Sequence, residues 1–156
     1  YSHLYGFSST GLRIFTVYGP RGRPDMAMFL FTEAILKNKP IKVFNGGNME
    51  RDFTYIDDIT EGVVRIIEKR IESRSAYKIY NIGNNDSVKL LDFISTIEDE
   101  LGMKANKQLL PMQPGDVEKT WANVDELIND YDYRPNTPIS KGIKAFTTWY
   151  RSYYNV

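Results

Sequence analysis

Arg51 is the residue in this chain whose surroundings point most directly to chemistry. It leaves a turn written Asn45-Gly46-Gly47-Asn48, within the run from Lys42 to Asp58. Glycine admits a positive φ and leaves the backbone open to close approach. A fixed cation beside such backbone suits a phosphate. The same residues also read as a surface hairpin in which Arg51 pairs with Asp52 or Glu50, and local chemistry alone leaves both readings open. Asp57 and Asp58 form a second candidate, a carboxylate pair of the kind used in general acid and base work. Neighbouring residues on a helix face different ways, however, and Asp58 with Glu61 has the spacing of a capping box, so helix caps are the simpler assignment. His3 is the single histidine and cannot form a metal cluster by itself. With no cysteine in the chain, disulfides, thiolate metal sites and a thiol nucleophile are excluded.

The elements that must hold these residues follow from the apolar pattern. Ile41 to Phe44 and Phe53 to Ile56 are short apolar strands on either side of the glycine turn, and the second runs into a helix. Residues 11 to 18 are apolar, β-branched or aromatic with little alternation, the pattern of a parallel strand buried on both faces. Ligands of open parallel sheets gather beyond the carboxyl ends of the strands, which directs attention to Thr16 through Asp25. Pro24-Asp25 then opens a helix through about Lys37, with Met28, Phe31, Ala34 and Ile35 on one face, and its start offers free N–H groups to an anion. The helix after Asp58 buries Ile59, Val63, Ile66 and Ile67. Lys69 to Ser75 reads as a loop, Tyr77 to Ile82 as a strand, and Val88 to Leu101 as a helix stopped by Gly102. Lys104 to Leu110 is a short strand leading into a rigid, exposed loop from Pro111 to Asp116. Asn123 with Glu126 caps a short helix through Asn129. Thr137-Pro138 opens a last helix whose Ile139, Ile143, Phe146, Tyr150 and Tyr153 make one buried face. Trp149, Tyr150, Tyr153 and Tyr154 are therefore assigned to packing rather than to a sugar platform, and His3 to the surface.

Composition narrows the function classes. A chain of 156 residues that is 42% hydrophobic can build one core of ordinary size. Twenty basic residues balance twenty acidic ones without any basic block, so the electrostatic footprint of a nucleic-acid binder is missing. The longest purely apolar run, Met26 to Phe31, falls far short of the roughly 20 residues of a membrane helix, and no signal-peptide pattern precedes it. Together with the lack of cysteine this reads as a soluble, cytoplasmic protein that meets neither nucleic acid nor membrane. The chain opens at Tyr1 on what reads as the last turn of a helix, Ser2 to Tyr5, closed by Gly6. It is read as a carboxy-terminal fragment.

Three blocks carry a resemblance. They are Gly11-Leu12-Arg13-Ile14-Phe15-Thr16-Val17-Tyr18-Gly19-Pro20, then Gly22-Arg23-Pro24-Asp25-Met26-Ala27, then Val43-Phe44-Asn45 with Arg51-Asp52-Phe53-Thr54-Tyr55-Ile56-Asp57-Asp58. With Gln113-Pro114-Gly115-Asp116-Val117 they resemble the nucleotide-sugar epimerases and dehydratases of the extended short-chain dehydrogenases, most closely the UDP-glucuronate 4-epimerase branch. The resemblance implies an α/β chain: a carboxy-terminal substrate-binding lobe with a remnant of the Rossmann parallel sheet. Residues 1–24 and about 56–82 would belong to the sheet, and about 25–55 and 83–156 mainly to the lobe. It implies NAD as the cofactor of a homodimeric parent isomerase, with a UDP-sugar as ligand. The family's glycine phosphate loop and catalytic Tyr-x-x-x-Lys do not occur in this sequence, so the main NAD site and the catalytic residues are expected outside it, and the chain alone is expected to be inactive. By position, Arg51 resembles the arginine that grips diphosphate or ribose, and Asp116 the acid that accepts from ribose. Val43 and Phe44 resemble the strand whose backbone reads uracil, and Met26 and Ala27 the helix start facing the diphosphate. Thr16 and Arg23 stand where the glucuronate branch contacts the sugar and its carboxylate. Gln113 departs from the arginine that other epimerases often have there. On local chemistry alone Arg23 could instead pair with Asp25, Thr16 could only pack, and Asp116 could brace its loop. A decarboxylase or dehydratase on the same framework, or a non-catalytic relative, would share these features.

Overall fold

The computed structural model describes residues 1–69 and 77–156. In chain order the elements are α1 (Ser2–Tyr5), β1 (Ser9–Ile14), β2 (Thr16–Tyr18), α2 (Ala27–Leu36), β3 (Pro40–Val43), β4 (Glu50–Arg51), β5 (Phe53–Tyr55), α3 (Ile56–Glu68), β6 (Tyr77–Ile82), β7 (Val88–Lys89), α4 (Leu90–Leu101), β8 (Asn106–Leu109), α5 (Asp125–Tyr131) and α6 (Ile139–Tyr154). A single 3-10 turn, Phe44–Gly47, links β3 to the β4 arm. The expected loop from Lys69 to Ser75 lies, beyond Lys69, outside the described residues.

The strands pair at long range. β1 runs parallel to β6 with Ser9 opposite Tyr77, and β2 runs parallel to β5 with Thr16 opposite Phe53. β3 runs parallel to β8, and β4 antiparallel to β7. The fold is therefore mixed α/β with parallel strand pairs. The two strands flanking the glycine turn do not form a hairpin, because β3 and β5 are committed to different partners. The expected strand over residues 11–18 is broken at Phe15, and it is not buried on both faces: Ile14 is 51% exposed.

Two apolar clusters hold these pieces. The larger joins Tyr18, Phe53 and the buried faces of α2, β3, α4 and α6. Phe53 stacks on Phe93 with ring centroids 4.0 Å apart, and Tyr18 meets both edge-on. Removing a side chain the size of Phe93 from water contributes about 1.5 to 3 kcal/mol. The smaller cluster joins Ile59 of α3, Tyr80 and Ile82 of β6, and Leu127, Tyr131 and Tyr133. On α6, Ile143, Phe146 and Tyr150 are buried as the spacing required, whereas Tyr153 is exposed and stacks on Trp149. Ile67 of α3 is likewise exposed.

Helix starts differ from the sequence expectation in an instructive way. α2 begins at Ala27, after Pro24 and Asp25 have been used in a turn, and Met26 is its N-cap. Asp58 does not cap its own helix. It is buried and accepts from both the backbone N–H and the hydroxyl of Thr137, at 3.2 and 3.1 Å. The residue expected to cap α6 and the residue expected to cap α3 thus satisfy each other, pinning the start of one helix to the first turn of the other. At α5, Asn123 does accept an end N–H, that of Asp125, at 2.9 Å.

Candidate functional site

A cavity of about 610 Å³ opens between α2, β3 and the β4 arm, a size suited to a small organic ligand. α2 explains how one helix can serve core and cavity together. Its sequence, Ala27-Met28-Phe29-Leu30-Phe31-Thr32-Glu33-Ala34-Ile35-Leu36, has almost no polar side. Met28, Phe29, Phe31, Thr32 and Ile35 are buried in the core. Ala27, Leu30, Ala34 and Lys37, at three- and four-residue spacing, line the cavity.

Arg51 of β4 lines the same cavity. Its side chain is 18% exposed and its Nη2 donates to Asp116 Oδ1 at 2.8 Å. Its Nη1 donates to the carbonyls of Glu50 and Glu118 at 2.9 and 3.2 Å. Asp116 Oδ1 also accepts from the Val117 N–H at 2.9 Å. Arg51 therefore pairs with neither Asp52 nor Glu50 through their carboxylates, as the hairpin reading required, but with a carboxylate from a distant loop. The guanidinium is oriented by three acceptors and still borders the cavity.

Of the other residues marked from the sequence, Thr16, Met26, Ala27 and Phe44 line the same cavity. Phe44 does so from the 3-10 turn, not from the strand, since β3 ends at Val43. Val43 is fully buried and its carbonyl accepts from Leu110 N–H at 2.9 Å. Arg23 is not brought to the cavity wall. It lies exposed and forks onto Asp25, with contacts of 3.0 and 2.5 Å. Leu30, Lys39, Lys42, Met49, Phe53 and Leu90 also line the cavity and were not marked. For Leu30 the signal is present: it is an apolar residue of α2 outside the stripe of Met28, Phe31, Ala34 and Ile35, whereas Ala34, expected on that stripe, lines the cavity as well.

The lining supplies one carboxylate, Glu33, held by Lys37, and one hydroxyl, that of Thr16. The hydrogen bond to Glu33 raises the Lys37 ammonium above its ordinary range. Behind the wall, burial, and after it the charge of Asp58, pushes the Tyr18 phenol far above its ordinary range, so it keeps its proton, and its hydroxyl donates to the Ile139 carbonyl at 3.5 Å. Such a lining is equipped to bind and orient an anionic, partly apolar ligand. Among the described residues no group of three His, Asp or Glu could hold a metal ion, and no helix is long and apolar enough to cross a membrane.

Parallel strands, a helix start and an arginine thus converge on one cavity of an α/β structure. The model of the NAD dependent epimerase/dehydratase family matches residues 1–83, and the chain belongs to that family. It is 49% identical to Protein CapI of Staphylococcus aureus, over 99% of this chain and 50% of that protein. It is 43% identical to UDP-glucuronate 4-epimerase 4 of Arabidopsis thaliana, over 99% of this chain and 38% of that protein. In structure it is similar to the UDP-glucuronic acid 4-epimerase of Bacillus cereus in complex with UDP-glucuronic acid and NAD, with a TM-score of 0.90 and 35% identity, covering 98% of this chain and 48% of that one. The chain thus spans about half the length, or less, of these relatives.

Proposed function

We propose that this chain is the nucleotide-sugar-binding, carboxy-terminal portion of an NAD-dependent 4-epimerase that acts on UDP-glucuronate. The observation that carries the reading is the cavity in which Thr16, Met26, Ala27, Phe44 and Arg51 converge while Arg51 is held by Asp116. In this reading Arg51 and Asp116 grip the diphosphate and ribose, and the start of α2 at Met26 and Ala27 faces the diphosphate. Val43 and Phe44 border the uracil; the Val43 carbonyl, although bonded to Leu110, retains a second lone pair. Thr16 meets the sugar, and Arg23 reaches its C6 carboxylate by exchanging Asp25 for the ligand. In this reading residues from about 25–55 and 83–156 form mainly this lobe, and residues 1–24 with the described part of about 56–82 continue a Rossmann sheet.

Because the chain carries no glycine phosphate loop, the residues present are assigned to the nucleotide sugar and not to the main NAD site. NAD, where bound in a longer cytoplasmic, homodimeric enzyme, supplies the hydride acceptor. This chain binds the sugar and orients it. By itself it is expected to bind UDP and to turn over nothing. Titration of the purified chain with UDP, uridine and glucose 6-phosphate tests the first half, and an assay with UDP-glucuronate and NAD the second. Equal affinity for all three ligands would overturn the nucleotide reading, and turnover above background would overturn the assignment of catalysis to residues elsewhere.

A further inference from the structure

We propose that Asp52 is the positioning residue that holds Arg51 in its working place. The proposal rests on the nucleotide reading of the cavity for its functional meaning, but the contacts stand by themselves. Asp52 is fully buried. Its Oδ1 accepts from Thr54 Oγ1 at 2.9 Å and from the Asn84 N–H at 2.8 Å. Its Oδ2 accepts from the N–H groups of Asn85 and Ala122 at 3.2 and 3.1 Å. Four donors from three separate segments converge on one carboxylate. Among the described residues no cation lies within ion-pair distance of it, so these bonds carry the cost of burying the charge.

The geometry links this knot to the cavity. Successive side chains of an extended chain point to opposite sides, so Arg51 faces the cavity while Asp52 faces the interior. The segment 116–122 runs alongside in step. Asp116 meets the Arg51 guanidinium, the Glu118 carbonyl accepts from Glu50 N–H at 2.8 Å, and Thr120 N–H donates to the Glu50 carbonyl at 3.1 Å. Ala122 then ends the series on Asp52. Alternate residues of one strap are thus buttoned to residues 50, 51 and 52, and Asp52 is the button at the buried end. Gly83 fits the same knot: a Cβ there would stand 2.6 Å from the Ala122 Cβ and 3.2 Å from both Asp52 carboxylate oxygens. A neutral amide cannot replace the carboxylate, because it keeps one acceptor oxygen and turns an N–H₂ toward the remaining donors.

The test compares wild type with Asp52→Asn, Arg51→Ala, the double variant and Gly83→Ala. Gly83→Ala crowds the strap without changing its chemistry and serves if Asp52→Asn does not fold. Two readouts are taken. Titration with UDP and with uridine should show a loss of about tenfold or more for UDP in Asp52→Asn, with uridine unchanged, and no further loss when Asp52→Asn is added to Arg51→Ala. Additive losses, or equal losses for uridine, would overturn the proposal. Without ligand, the Arg51 Nη–H resonances, assigned from their absence in Arg51→Ala, should move to the position of a free arginine in Asp52→Asn or Gly83→Ala, because the guanidinium is held through Nη1 and Nη2. An unmoved resonance in a folded variant would overturn the proposal. If wild type binds no UDP, the nucleotide reading fails, and the resonance still decides the positioning role.

Discussion

The Arg51 guanidinium meets the Asp116 carboxylate at 2.8 Å across a separation of 65 positions. Arg51 of that pair borders the cavity, which makes Arg51→Ala the most direct test of ligand binding. A charge-assisted hydrogen bond contributes about 1.5 to 3 kcal/mol, so the variant should bind UDP about ten- to a hundredfold more weakly. Ligand-observed NMR or calorimetry checks this. Undiminished binding would reduce Arg51 to a brace for the 116–122 loop.

Arg23 should confer preference for a sugar bearing a C6 carboxylate. A guanidinium fork can hold two carboxylate oxygens together, as it holds Asp25 here. Lysine, a point charge, cannot replace it at such a site. In the longer enzyme, kcat/KM for UDP-glucuronate over UDP-glucose should fall in both Arg23→Ala and Arg23→Lys. Should Arg23→Ala keep the wild-type preference, the pair with Asp25 is all that Arg23 makes.

Acid should weaken the fold through Glu98. Its side chain is 4% exposed and accepts from the Ala105 N–H at 2.9 Å, from Lys104 at 3.3 Å and closely from Lys107. Burial by itself would raise this carboxyl, but these partners outweigh burial and hold it below the ordinary glutamate value of 4.5. A carboxyl lowered in the folded state stabilises above its unfolded value, and that contribution disappears as pH falls through the folded value. Urea unfolding at neutral pH and at about pH 3 should show Glu98→Gln less stable than wild type at neutral pH, by about 1 to 3 kcal/mol. The gap should narrow in acid. A gap independent of pH would contradict the assignment.

Gly142→Ala should destabilise the larger core. A Cβ at this position of α6 would lie 2.3 Å from the Tyr18 hydroxyl oxygen and 2.7 Å from its ring carbons. Overpacking of this kind costs about 1 to 3 kcal/mol, readable as a lowered melting temperature. Adding Tyr18→Phe should recover part of the loss by removing the closest atom. A melting temperature at or above that of wild type would show that α6 shifts freely.

Periodicity placed the larger elements well, because burial repeats locally. β6, β8 and the body of α4 fall where the pattern put them, and Gly102 closes α4 in the left-handed region at φ 68°. Five of the eight candidate site residues, Thr16, Met26, Ala27, Phe44 and Arg51, line one cavity, while Arg23, Val43 and Asp116 do not. Partner choice was not legible. Nothing near Arg51 names Asp116 rather than Glu50 or Asp52, since the decision depends on where residues 116–122 pass. The same holds for Asp58, whose capping-box spacing gave way to a tertiary bond with Thr137. The second apolar face of α2 was hidden by its lack of polar residues: with no hydrophilic side to mark solvent, a cavity wall and a core wall look alike in sequence.

No strand in the described residues pairs with its neighbour in the chain; β3 must wait for β8, with Pro40 opposite Asn106, and β1 for β6, with Ser9 opposite Tyr77. During synthesis at about 5 to 20 residues per second, the early strands emerge seconds before their partners exist. Such non-local pairing folds slowly, and meanwhile the unpaired edges stay open to other chains. The topology that brings Asp116 to Arg51 thus also sets an order of assembly: the guanidinium is synthesised before the carboxylate that orients it exists.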